Sequence, residues 1–450
     1  MSRQNEPVKA AATASALNIT LQNQTTSDTV YAYITGQAID NNNALFLLQS
    51  DGKTAYYPTS PSDTMQALGA DCAIPLGSVG NSVTATIPHL AGGRLWFARD
   101  KTLTFYLNPG PALVEPSSSN TSDANYNTFW DFCEFTYNSS QLYVNITYVD
   151  FVCLPISLTL TNTSGDSQHV AGMSANGLDT VCSGLRDQQS KDSAGWDQLI
   201  VQTSDGTNLR AVSPNTGIGL NSSLFSGYYQ SYVNQVWSQY AGSTLTVNTQ
   251  ISSGNVGGTV SDNTLNFGNG AATYTQPAAA DIFSCSSGPF AATGDTEKDA
   301  ITARLAAAFN RSTLLTDSNT PESEDPSKYY QNSITNHYAR IVHAANLDGR
   351  GYSFPYDDVA PTNGADQSGS IHDPSPQLLT VAVGGGNAST SASNNKTQAS
   401  LPQPAGGQKS RNNNNDSSGS NKNNKGSNKA NDSNQQKGLL GFMKRLSCFK

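Results

Sequence analysis

The chain is short of charge. Only 13% of its 450 residues are Asp, Glu, Lys or Arg, so its surface is polar through hydroxyls and amides, a composition common among all-β, carbohydrate-facing and secreted proteins. Cysteine is scarce as well. The six present, at 72, 133, 153, 182, 285 and 448, are too few for a disulfide scaffold of this size, and none has the CxxC spacing of a zinc site. Cys133 and Cys153 are candidates for neighbours in a sheet, as a bridge or as free thiols. The five histidines show no metal spacing, and no cofactor is expected. Long apolar runs are missing, which argues against a transmembrane helix. The stretch MSRQNEPVKAAATASALNIT also lacks the apolar core of a secretory leader. Localisation is left open on this reading, with an intracellular protein and one exported by an unconventional route among the alternatives.

The net charge of −9 hides an asymmetry. From Asn387 onward there are 10 Lys/Arg against 2 Asp/Glu, which leaves the remainder at −17. An acidic body repels a phosphate backbone, so nucleic acid is excluded as a partner of the folded part, whereas a neutral polymer is acceptable. Residues 387–437, rich in Asn, Ser, Lys and Gly, bury too little apolar surface to offset ordering entropy and should be disordered. Residues 438–450 intersperse Leu439, Leu440, Phe442, Met443, Leu446 and Phe449 with Lys444, Arg445 and Lys450. That pattern suits a short basic amphipathic helix on an anionic membrane or in a partner's groove.

What is abundant is short β-type runs separated by turn residues. Strands are expected at 18–23, 29–34, 82–87, 94–98, 103–107 and 378–383, with β-style chain also at 352–359. Between about 166 and 335 the period changes. Tyr229, Val233, Val236, Trp237 and Tyr240 fall at helical spacing, as do Ile301, Leu305, Ala308 and Phe309 behind a capping box at Thr296 and Asp299. A third helix should open at Asp325-Pro326 and carry a stripe of Tyr330, Ile334, His337, Tyr338, Ile341 and Val342. This reads as a mixed α/β domain, 166–335, inserted into a β domain formed by 15–165 and 336–386, although the order of elements allows two separate domains equally well.

Two carboxylates sixteen residues apart carry the chemistry. Glu134 lies in Phe132-Cys133-Glu134-Phe135-Thr136-Tyr137 and Asp150 in Tyr148-Val149-Asp150-Phe151-Val152. Acids are depleted from strands and costly to bury unpaired. Either both point to solvent from a one-sided sheet, or a cleft needs two carboxyl groups. The Asn138-Ser139-Ser140-Gln141 turn makes the two runs an antiparallel hairpin. A three-residue loop centred on Ser140 would set Glu134 opposite Ile146 and Trp130 opposite Asp150, with both acids on one face about 13 Å apart at the backbone. A register change of one residue would put them on opposite faces.

These segments resemble glycoside hydrolase family 64, the laminaripentaose-producing β-1,3-glucanases with a thaumatin-like domain. The resemblance also includes Asp71-Cys72-Ala73-Ile74-Pro75-Leu76-Gly77, the Gly92-Gly93-Arg94 turn, Trp130 to Pro155, Asn336 to His343, and Asn346 to Val359. Together these cover roughly residues 15 to 386 in the family's order. It implies a mainly β fold: a thaumatin-like β-barrel or sandwich plus the inserted α/β domain, with a wide groove between them. The function it implies is endo-type, inverting hydrolysis of β-1,3-glucan by a monomer without cofactor. Glu134 would be the general acid and Asp150 the general base. Thr136, Asn138, Tyr143 and Asp123 would be substrate contacts, with Tyr143 standing where the family's better-known members have Trp. His337, His343 and His372 are read as structural, and Asp357-Asp358 as fixing loops. The alternatives are a non-catalytic β-glucan-binding protein and a structural protein tethered to a membrane by its tail.

Overall fold

The computed structural model of the protein describes residues 13–385, except Ala271. The expected linker at 387–437 and the basic segment at 438–450, with Cys448 and its membrane contact, lie outside the described residues.

Alternation builds the first layer. In Ala16–Asn23 the side chains of Leu17, Ile19 and Leu21 are buried, while Asn18 is exposed. The antiparallel neighbour Ser82–Pro88 sets Ile87 and Ala85 opposite Leu17 and Ile19. On the other side the C-terminal strand Pro376–Val383 runs parallel and pairs Leu379 and Val381 with Ile19 and Leu21. Ile156–Asn162 and Ser167–Val170 complete five strands in the order Ser167–Val170, Ile156–Asn162, Pro376–Val383, Ala16–Asn23, Ser82–Pro88. Apolar residues with a period of two thus fill one face, and Thr and Asn occupy the other.

A second, eight-stranded sheet holds the Glu134 strand near its centre. Its path runs Ser370–Asp373, Leu142–Ile146, Phe129–Tyr137, Leu90–Arg99, Val30–Ala38, Ala44–Leu48, Ala55–Tyr56, and Ile74–Pro75 also pairs with Val30–Ala38. Most residues of Val30–Ala38 and Leu90–Arg99 are buried, on both faces of these two strands. Leu95, Phe97, Cys133, Phe135, Val144 and Ile146 share one hydrophobic cluster with the buried row of the first sheet. The element order between 166 and 335 is mixed, with helices Gly177–Asp192, Gln230–Ala241 and Thr296–Arg311 among short strands. The fold is mainly β.

Helix Gln230–Ala241 buries Val233, Val236, Trp237 and Tyr240 as their spacing predicts. Other expectations are corrected. Helix Thr296–Arg311 is capped one residue earlier, by Asp295, whose Oδ1 accepts the Lys298 N–H at 2.8 Å. Asp299 instead turns back to the Thr293 and Gly294 N–H groups. The helix expected from Asp325 is broken. Asp325 caps only a 3-10 turn, Pro326–Lys328, Tyr330 takes φ +60°, and the helix proper is His337–Ala345. Asn336 starts it by accepting the Ala339 N–H, a local cap that the apolar stripe alone does not reveal. Leu103–Phe105 is not strand, because Tyr33 Oη and Asn125 Oδ1 take the N–H groups of Leu103 and Thr104. Likewise 352–359 is mostly turn. Cys72, Cys133, Cys153, Cys182 and Cys285 are buried free thiols.

Candidate active site

The hairpin that carries Glu134 has a two-residue loop. Asn138 N–H donates to the Gln141 carbonyl at 3.0 Å, and Glu134 pairs with Asn145, not Ile146. The expected three-residue loop is corrected by Asn138 itself, whose Oδ1 accepts the N–H groups of Ser140 and Gln141 and closes the tighter turn. With that shift Asp150 would leave the Glu134 face if the strand continued, but the strand ends at Ile146. Asp150 stands instead in a bend, exposed, just before Phe151–Val152, which pairs with Asn208–Val212 in another sheet.

This bend is held from several sides. Tyr148 N–H donates to the Tyr352 carbonyl, Tyr338 Oη to the Tyr148 carbonyl at 2.7 Å, and Ser213 N–H to the Asp150 carbonyl at 2.8 Å. Asp131, three residues before Glu134 and fully buried, accepts the Cys153 and Leu154 N–H groups at 2.8 and 3.0 Å. Burial pushes the Asp131 carboxyl up to about 7, against those N–H donors and the nearby Arg210, which pull it down. The strand bearing one acid therefore clasps the backbone just beyond the other.

Around Glu134 the sheet presents a cross-strand row. Arg94 lies opposite on one side and Asn145 on the other; Thr136 and Tyr143 form the next row, with His372 beyond Tyr143. The Gly92-Gly93 pair makes room for this. Gly92 has φ +55°, and a Cβ on Gly93 would lie 2.5 Å from the Phe135 ring. Arg94 Nε donates to Glu134 Oε1 at 3.2 Å, and Nη1 donates to Glu115 Oε2. The guanidinium lies over the rings of Phe132 and Trp96, 5.2 and 5.6 Å from their centroids. Burial raises the Glu134 pKa; Arg94 opposes this, and the charges of Asp150 and Glu115 add to it. Burial likewise raises Glu115, opposed by Arg94.

The two acids thus occupy unlike surroundings. The Glu134 side chain is 12% exposed, whereas Asp150 is open to water. Asp150 is near enough for its charge to act on Glu134 and Arg94. Tyr143 is half-buried on the Glu134 face, its phenol raised by burial and by the Asp358 charge. Asn138 shares that face, but its Oδ1 serves the turn, which leaves its amide NH2 to donate. Asp123 sits in the 120–126 turn, where its Oδ1 takes the Asn125 N–H at 2.7 Å. Arg94 and Glu115 were not among the candidates. Arg94 carried the same signal as Glu134, a charge within an apolar strand (Leu95-Trp96-Phe97 follow it), while nothing around Glu115 marks it.

Comparison with known proteins identifies the family and the fold. The sequence model of glycosyl hydrolase family 64, β-1,3-glucanase, matches residues 15–383. The chain is 30% identical over 313 residues to a glucan endo-1,3-β-glucosidase of Arthrobacter sp. (strain YCWD3), covering 67% of this chain but 54% of the relative. It thus spans about half the length of that enzyme. A laminaripentaose-producing β-1,3-glucanase crystallised with laminaritetraose superposes with a TM-score of 0.73 at 29% identity, over 82% of this chain and 98% of that one. A β-1,3-glucanase domain from Clostridium beijerinckii shares the fold, with a TM-score of 0.63 at 23% identity over 84% and 100% of the two chains.

Proposed function

Since the chain belongs to glycoside hydrolase family 64, we propose that it hydrolyses internal bonds of β-1,3-glucan with inversion at the anomeric carbon. Glu134 is the general acid and Asp150 the general base. The observation that carries this reading is the contrast in environment: one carboxyl is desolvated with a raised pKa, and the other is exposed to water. Two carboxyls whose surroundings push their pKa values apart divide the acid and base roles between them.

Arg94 is a pure donor, so its bond to Glu134 Oε1 requires that oxygen to accept and leaves Oε2 to carry the proton. In the reaction that proton passes to the glycosidic oxygen as its bond to the anomeric carbon breaks. A water on the opposite face, losing a proton to Asp150, forms the new bond and leaves an α-configured reducing end. Room for this water needs carboxyls about 6.5–9.5 Å apart. The glucan runs over the Glu134 face, with Thr136 and the Asn138 amide donating to hydroxyls and Tyr143 offering a ring to a glucose.

The same reading makes 15–165 and 336–386 a thaumatin-like β domain and 166–335 an inserted α/β domain, whose first strand, Ser167–Val170, still belongs to the β domain's sheet. It is supported by Pro376–Val383 lying between Ile156–Asn162 and Ala16–Asn23 in one sheet. Incubation of the chain with laminarin, followed by proton NMR of the fresh products, tests the function. Short oligosaccharides appearing first as α-anomers are expected. β-anomers would replace inversion by a retaining mechanism, and binding to curdlan without products would leave a glucan-binding protein.

A further inference from the structure

Glu115 has no place in the acid–base pair, yet it is tied to it through one shared cation. Arg94 reaches Glu134 through Nε and Glu115 through Nη1, and its planar group is backed by Trp96 and Phe132. The three side chains become more exposed away from the acid: 12% for Glu134, 27% for Arg94 and 31% for Glu115. Four charged or titratable groups face Glu134. They are Arg94 from Leu90–Arg99, Glu115 from just beyond Ala112–Val114, Asp150 from the bend after Leu142–Ile146, and Tyr143 from Leu142–Ile146, whose phenol stays neutral. An arginine held this close to a general acid is a problem for catalysis, since an adjacent cation favours the carboxylate and draws off the proton that must be donated.

We propose that Glu115 is a positioning residue that neutralises Arg94, so that Arg94 can orient Glu134 without stripping it of its proton. This rests on the reading of Glu134 as the general acid. It makes the site a three-carboxylate arrangement: Glu134 donates, Asp150 accepts, and Glu115 acts only through the guanidinium. The guanidinium contributes geometry, one directed N–H to Oε1, while its charge is balanced from the far side.

The test is the pH dependence of kcat/KM on soluble laminarin for the wild type, Glu115→Gln, Arg94→Met and the double variant. The basic limb reports the acid that must be protonated. Loss of Glu115 leaves the cation unbalanced, so that limb should move to lower pH by about one unit, with the acidic limb in place. Arg94→Met should move it to higher pH, and the double variant should follow Arg94→Met. Glu115→Asp should give a smaller shift in the direction of Glu115→Gln, and serves where the glutamine variant does not fold. A uniform loss of rate with an unmoved basic limb, or equal shifts in both single variants, would overturn the proposal. Failure of the underlying reading is separate: Glu134→Gln would then keep turnover and the basic limb, whatever Glu115 does.

Discussion

Two arginines in this molecule pair with acidic side chains, Arg311 with one and Arg94 with two, and they are built in opposite ways. Arg311 is 1% exposed, and its two terminal nitrogens are bonded while its buried Nε has no hydrogen-bond partner among the described residues. Its Nη2 donates to Asp357 Oδ1 and to the Asp357 carbonyl at 3.2 and 2.8 Å, and its Nη1 donates to the Val359 carbonyl at 2.5 Å. Tyr329 covers its face at 4.3 Å. Asp357 uses its second oxygen for the Ser353 N–H and for His343 Nε2, both at 2.9 Å. Among the described residues Arg94 has two carboxylates and no backbone carbonyl as hydrogen-bond partners, and its single bond to Glu134 uses Oε1 alone. A buried network holds loops in one arrangement; under the proposed function, a charge cluster opening on solvent keeps a proton available for transfer.

That contrast can be broken from either side. The largest effect should come from Glu134→Gln and Asp150→Asn. Each should lower kcat on laminarin by about three orders of magnitude while leaving the melting temperature and curdlan binding nearly unchanged. At Arg311 the effect should fall on stability. Asp357→Ala leaves a buried guanidinium unpaired and should cost about 3–5 kcal/mol in urea unfolding. Glu115→Gln should cost about 1 kcal/mol or less there, since its pair is partly exposed.

The buried network also has a pH signature. Burial works against a charged His343, but Asp357 outweighs it and the pKa is raised above the ordinary value of 6.5. Its contribution to stability is therefore fully present below pH 6.5 and is lost as pH rises through the folded-state pKa. His343→Gln should flatten the decline of unfolding free energy over that range by at most about 1.4 kcal/mol per pH unit. The smallest expected effect is Tyr143→Ala, which should raise KM for laminarin several-fold, about 1 kcal/mol, with kcat nearly intact. An equal loss in kcat would make Tyr143 part of the transition-state contacts.

Much of the scaffold was legible because alternation of small apolar and polar residues has one period and one meaning. Ala16–Asn23, Ser82–Pro88 and Pro376–Val383 fall where that pattern lies. The helix of Val233, Val236 and Trp237 was legible for the same reason. Polar side chains hid the rest. Asn336 restarted a helix, Asn125 took a strand's hydrogen bonds, and Asn138 closed a turn one residue tighter than expected.

The sequence by itself determined that this is a mainly β chain of glycoside hydrolase family 64, with Glu134 as an acid misplaced for a simple strand. Burial periodicity and residue chemistry are local properties, and both can be read along the chain. Only the tertiary structure decided the surroundings that make those acids differ. Asp150 leaves the sheet because Asp131, Tyr338, Tyr352 and Ser213 hold its bend from four separate segments. Arg94 and Glu115, 21 residues apart, meet at Glu134 only once the strands are paired. Desolvation and the sum of neighbouring charges set proton affinity, and both depend on distances in space that spacing along the chain does not contain.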